Sequence, residues 1–148
     1  MKKIFSFAIA LVACALAFTS CDPYTNSPLV GSWLANGTLT LIDATTGASK
    51  VYDANHSIHF FDNGQFQYNV YIKGTTDGIF KRGVWAAKGD QLTLRTQKAG
   101  EIRSNEFVYD NSFKTTDEVV TWSIDGHYLT LTHADGSKEI FYDGSGPN

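Results

Sequence analysis

From Leu29 to Tyr142, apolar and polar residues change places at almost every step. Phe66, Tyr68, Val70 and Ile72 fall on one side of their run, and Gln65, Gln67 and Asn69 on the other. Leu92 and Leu94 oppose Gln91, Thr93 and Arg95, and Val120, Trp122 and Ile124 oppose Val119, Thr121 and Ser123. Leu129 and Leu131 oppose Tyr128, Thr130 and Thr132 in the same way. Successive side chains of a strand point to opposite faces, so this period of two predicts β-strands with one dry face and one wet face. No stretch of this region carries the longer period of an amphipathic helix.

Turn signals separate the runs. Asn36-Gly37, Asp62-Asn63-Gly64, Lys88-Gly89-Asp90, Asp125-Gly126 and Asp135-Gly136 each stand between alternating segments. Asn-Gly and Asp-Gly mark tight hairpins because both central residues take positive φ. A turn at each predicts about nine strands: 29–35, 38–42, 57–61, 65–73, 80–87, 91–97, 118–124, 127–133 and 138–142. A single antiparallel layer of that size must close on itself or stack. Sequential hairpins favour an all-β, antiparallel up-and-down barrel of about 8–9 strands, which also removes exposed edges. A β-sandwich is the alternative. Residues 43–55 and 98–117 fit the pattern poorly. A structureless loop as long as the second is uncommon in a compact domain. Phe107-Val108-Tyr109 therefore predicts a short strand there, or a loop folded over one mouth of the barrel.

The first residues read as an address. Met1-Lys2-Lys3 is a charged start, Ile4 to Phe18 is uncharged, and the chain turns polar after Cys21. That is the grammar of a secretory signal, and the apolar run is short for a helix that needs about 20 residues to span a bilayer. Thr19 and Ser20 are small residues before a cysteine, and the segment resembles the signal of bacterial lipoproteins. The resemblance implies cleavage after residue 20, lipidation of Cys21 and anchoring to a membrane of the cell envelope, with the outer membrane expected. Cys14, after Leu11-Val12-Ala13, is the rival, but apolar residues follow it where a tether should be polar. Residues 21–28, with Pro23 and Pro28, predict an extended tether, and residues 29–148 the folded domain.

Composition narrows the function classes. The chain of 148 residues carries 12 Lys plus Arg against 15 Asp plus Glu, a net charge of −3, so the electrostatic footprint of a nucleic-acid partner is missing. Its two cysteines cannot build a disulfide framework, and both are consumed if Cys14 leaves with the signal and Cys21 takes the lipid.

A second resemblance lies in the folded part. Gly31-Ser32-Trp33 opens the first strand and Gly83-Val84-Trp85 echoes it. Phe60-Phe61-Asp62-Asn63-Gly64 and Gly89-Asp90-Gln91-Leu92-Thr93-Leu94 complete a set similar to the lipocalin-like domains of Gram-negative lipoproteins. The resemblance implies a barrel whose closed end is plugged by indole rings and whose lumen takes a small hydrophobic molecule. Candidate lumen walls are then Trp33, Phe60, Phe66, Tyr68, Trp85 and Trp122.

Catalytic signals are thin. No nucleophile elbow, HExxH, P-loop or dinucleotide fingerprint is present, so neither catalysis nor a cofactor is expected. His56 and His59 are three apart and fall on opposite faces of a strand, while His127 and His133 are separated by about 20 Å of extended chain. Neither pair makes a metal site, and all four read as surface or rim residues. The rival functions are a protein-interaction or inhibitor module using the loop ends, and a carbohydrate-binding sandwich. A packed interior favours the first of these over a ligand carrier.

Overall fold

The computed structural model describes residue 24 and residues 26–145, so the signal at 1–20 and Cys21 lie outside the described residues. Nine strands carry the fold: β1 (Gly31–Ile42), β2 (Ser49–Phe60), β3 (Gln65–Ile72), β4 (Gly78–Lys88), β5 (Gln91–Arg103), β6 (Glu106–Tyr109), β7 (Thr116–Asp125), β8 (Tyr128–Thr132) and β9 (Lys138–Tyr142). Every pairing is antiparallel, and the order along the sheet is β4-β3-β2-β1-β9-β8-β7-β5-β6. β4 also pairs with β5, so eight strands close into an up-and-down barrel and β6 hangs from the far half of β5. The sandwich alternative is set aside. The seam between β1 and β9 is narrow, with Leu34 opposite Tyr142 as its one register pair.

The predicted turns at Gly64, Gly89, Gly126 and Gly136 hold, each with positive φ, at 79°, 61°, 57° and 82°. Asn36-Gly37 does not turn. β1 runs straight through it, with Asn36 opposite Asn55 and Gly37 opposite Ala54. Gly37 serves close approach instead, since a Cβ there would lie 3.0 Å from the His56 ring. The chain turns later, at 43–48, where the Asp43 carboxylate accepts the backbone N–H groups of Thr45 and Thr46 at 2.8 and 2.9 Å. These bonds hold that carboxyl below its usual range.

The long polar stretch after residue 97 divides between a longer β5 and the new strand β6, which contains the expected Phe107 to Tyr109. Ser104 and Asn105 turn between them with φ of 51° and 66°. The segment before β1 is no free tether over its described part. The Ser27 N–H donates to the Tyr24 carbonyl at 3.0 Å, and the Val30 N–H to that of Ser27 at 3.1 Å. The Tyr24 ring stands edge-on to Trp85, 4.9 Å between centroids.

The inward residues pack as the alternation requires. Leu29, Trp33, Phe60, Phe66, Trp85, Leu92, Leu129 and Phe141 fill the end where β1 begins. Both indole N–H groups there are satisfied, Trp33 by the Leu29 carbonyl at 2.9 Å and Trp85 by that of Phe61 at 3.2 Å. Burying each such side chain contributes about 1.5–3 kcal/mol. A smaller cluster of Leu39, Ala54 and Val70 sits toward the other end.

Candidate functional site

One hollow lies inside the barrel and one outside, and each adjoins a more open one: about 640 Å³ over Glu118, His133, Asp135 and Glu139 beside the inner, and about 280 Å³ over Gln97, Lys98, Tyr109 and Asp110 beside the outer. The inner one lies at the open end above an apolar floor of Ile58, Phe66, Leu94 and Leu131, and holds about 110 Å³. Its upper wall is polar: Tyr68, Lys81, Thr96, Glu118, His133 and Glu139. His133 Nδ1 lies 2.8 Å from Glu118, and its Nε2 3.8 Å from Glu139. The Tyr68 hydroxyl lies 2.7 Å from His56 Nδ1, and His56 Nε2 lies 3.2 Å from the Thr38 carbonyl oxygen. A carbonyl only accepts, so Nε2 carries a proton, and in the neutral ring Nδ1 accepts from Tyr68. Burial, followed by Glu139 and Glu118, pushes the Tyr68 hydroxyl well above its usual range and keeps it a neutral donor. Among the described residues no group of three or more His, Cys, Asp or Glu is arranged to hold a metal ion.

The outer hollow follows from a break in the β4–β5 ladder. Arg82 faces Lys98 and Gly83 faces Thr96, so Gln97 has no partner and the strand bulges. Bulges re-aim side chains next to functional sites. Only glycine fits at 83, because a Cβ would lie 1.9 Å from the Arg95 carbonyl oxygen. A cleft of about 280 Å³ opens there, walled by Phe61, Gln65, Gln67, Arg82, Gln97, Lys98 and Tyr109 among others. Arg82 donates from Nη1 to the Tyr109 hydroxyl at 2.8 Å. Its guanidinium carbon lies 4.2 Å from the Phe107 ring centre and 5.4 Å from that of Phe80. Phe80 is itself buried on the face of β4 opposite Ile79, edge-on to Phe107 and Tyr109 at 5.0 and 5.1 Å. Arg82 Nε is buried with no hydrogen-bond partner.

The other arginines differ. Arg95 grips Asp117 through two bonds of 2.8 Å, and Arg103 pairs with Glu101. Hydrogen bonding and charge lower the Asp117 carboxyl and raise Arg95. Among the described residues neither Arg82 nor Lys98 has a carboxylate partner.

The predicted lumen residues separate between these regions. Trp33, Phe60 and Trp85 belong to the packed core, at 6%, 0% and 2% exposure. Phe66 and Tyr68 reach the inner hollow, and Phe66 also backs the outer cleft. Trp122 is half-buried against the core, and its Nε1 has no hydrogen-bond partner. His56 and His59 take opposite faces of β2 as expected, and the half-buried His56 is hydrogen-bonded to Tyr68 and to the Thr38 carbonyl.

Parity brings Glu118, His133 and Glu139 to the mouth, since each stands two residues from an inward Val120, Leu131 or Phe141; the sequence alone gives His133 only as a surface or rim residue and does not join the three. Arg82, Gln97, Lys98 and Tyr109 had no such signal, because the bulge that gathers them leaves no mark in the alternation. No family model matches the chain, and a search of curated proteins finds no match.

Proposed function

We propose that this chain is a lipoprotein of the cell envelope, anchored through Cys21 to the outer membrane, with a lipocalin-like barrel that acts as a non-catalytic recognition module. Its partner is met by the outer surface and loops of the barrel, not by the lumen. The observation that carries this reading is the filled interior. The space inside is about 110 Å³ and six of its ten lining residues are polar, whereas small-molecule sites usually run from about 300 Å³ upward. A hydrophobic guest in the lumen, the expectation drawn from the resemblance, has little room.

The contacts of Tyr24 support an orientation for the anchor. Tyr24 is docked on Trp85, three residues beyond Cys21, and three extended residues reach about 10 Å. A lipid on Cys21 then holds the plugged end of the barrel against the bilayer and turns the polar mouth away from it.

Cys21→Ser is expected to abolish lipid labelling and release the protein from membranes. Unchanged labelling would move the modification to Cys14 or end the lipoprotein reading. Native mass spectrometry of the purified protein is expected to give a ligand-free mass, with no thermal shift across a fatty-acid and bile-acid panel. A retained lipid would return the site to the lumen.

A further inference from the structure

We propose that the cleft at the β4–β5 bulge binds a sugar acid: a small, hydroxyl-rich ligand bearing a carboxylate. This inference rests on the outer-surface reading above and names the chemistry that surface recognises.

The charges point to an anion. In a chain with net charge −3, Arg82 and Lys98 face each other across the ladder and line one cleft with no carboxylate in its wall; Asp110, in the adjoining hollow, accepts from Ser112 and pairs with neither. The stack on Phe80 and Phe107 accounts for where the guanidinium lies and buries Nε, but it brings no carboxylate to the charge. Nor does the stack give Lys98 an ionic partner, for its Nζ lies only over the Tyr109 ring, 5.7 Å from the centre. A guanidinium already fixed by rings and by the Tyr109 hydroxyl loses little freedom when a carboxylate arrives.

The rest of the wall points to what carries the anion. Gln65, Gln67 and Gln97 present amides that both donate and accept, as sugar hydroxyls require. Phe61 and Tyr109, at 38% and 42% exposure, offer ring surface to the apolar face of a pyranose. A bare inorganic anion would engage the two cations and leave the amides and rings idle. About 280 Å³ suits a small ligand or the end unit of a longer chain.

The test is calorimetric titration of the full-length protein in detergent with glucuronate, glucose and inorganic phosphate. Glucuronate is expected to bind saturably, with glucose and phosphate each at least about tenfold weaker. Arg82→Gln removes charge-assisted bonds and should weaken glucuronate about tenfold or more. Lys98→Met alters an exposed side chain and should weaken it less, which keeps the test decisive if Arg82→Gln unfolds. Arg95→Gln, whose native partner is Asp117, should leave affinity unchanged.

Phosphate binding as well as glucuronate, or no binding of any probe, would overturn the sugar-acid inference and leave the outer-surface reading standing. Glucuronate binding that survives Arg82→Gln and Lys98→Met but is lost in Tyr68→Phe would place the ligand in the lumen and overturn both.

Discussion

At the inner mouth His133 lies between Glu118 and Glu139, and Tyr68 donates to His56, which donates in turn to the Thr38 carbonyl. At the outer cleft Arg82 and Lys98 stand among glutamines and rings, and a buried guanidinium nitrogen has no acceptor. Both regions are polar, and both border the same Phe66. They differ in their ionic partners: the mouth sets His133 between two carboxylates and leaves Lys81 over the Tyr68 ring, whereas among the described residues both cations of the cleft lack a carboxylate. A network satisfied from within rigidifies a fold, and an unanswered donor costs free energy until something else meets it. The cleft, where two cations stand together with no carboxylate in the wall, is the better place to seek an anionic partner.

The sharpest way to break the contrast is to remove the partition. Phe66→Ala deletes a ring that is 3% exposed and should cost about 3–5 kcal/mol in urea unfolding, the usual loss for a buried phenyl ring. A cost below about 1 kcal/mol would mean that the ring is not packed between the two hollows as its burial implies.

Next in size is Tyr68→Phe, which strips the donor from His56 and should cost about 1 kcal/mol near neutral pH. The variant also has a pH signature. Because the folded chain holds the Tyr68 proton after the unfolded chain releases its own near pH 10, the wild-type contribution is complete below about pH 10 and falls as pH rises further. Tyr68→Phe should flatten that alkaline fall in a series of unfolding curves, and an unchanged slope would show that Tyr68 is not shielded.

The smallest effect belongs to Glu118→Gln. Its carboxylate is 48% exposed beside a His133 that is 25% exposed, so the loss should stay under about 1 kcal/mol. A larger loss would mean that the mouth is drier than its exposure implies.

Much of the barrel was legible. Period-two alternation fixes which side chains of β3, β5, β7 and β8 turn inward, and Gly residues after Asn or Asp place most hairpins. Asn36-Gly37 misled because the same dipeptide that permits a tight turn also permits a flat strand beneath the His56 ring. The Ser104-Asn105 hairpin was hidden because serine seldom takes positive φ. The mouth was legible in principle, since Glu118, His133 and Glu139 keep the inward parity of their strands. The cleft was not. It depends on a single unpaired Gln97, and the extra residue flips the parity of β5 so that Ile102 is buried on the face opposite Leu92 and Leu94.

The seam where Leu34 meets Tyr142 gives the cylinder a clasp. Neighbouring staves are stitched along their length, whereas this one is pinned at a point beside the two shortest members of the wall, β8 and β9. Under heat or pulling, the hoop unfastens there before any other stave parts, and the last two strands swing out as a leaf still hinged to β7.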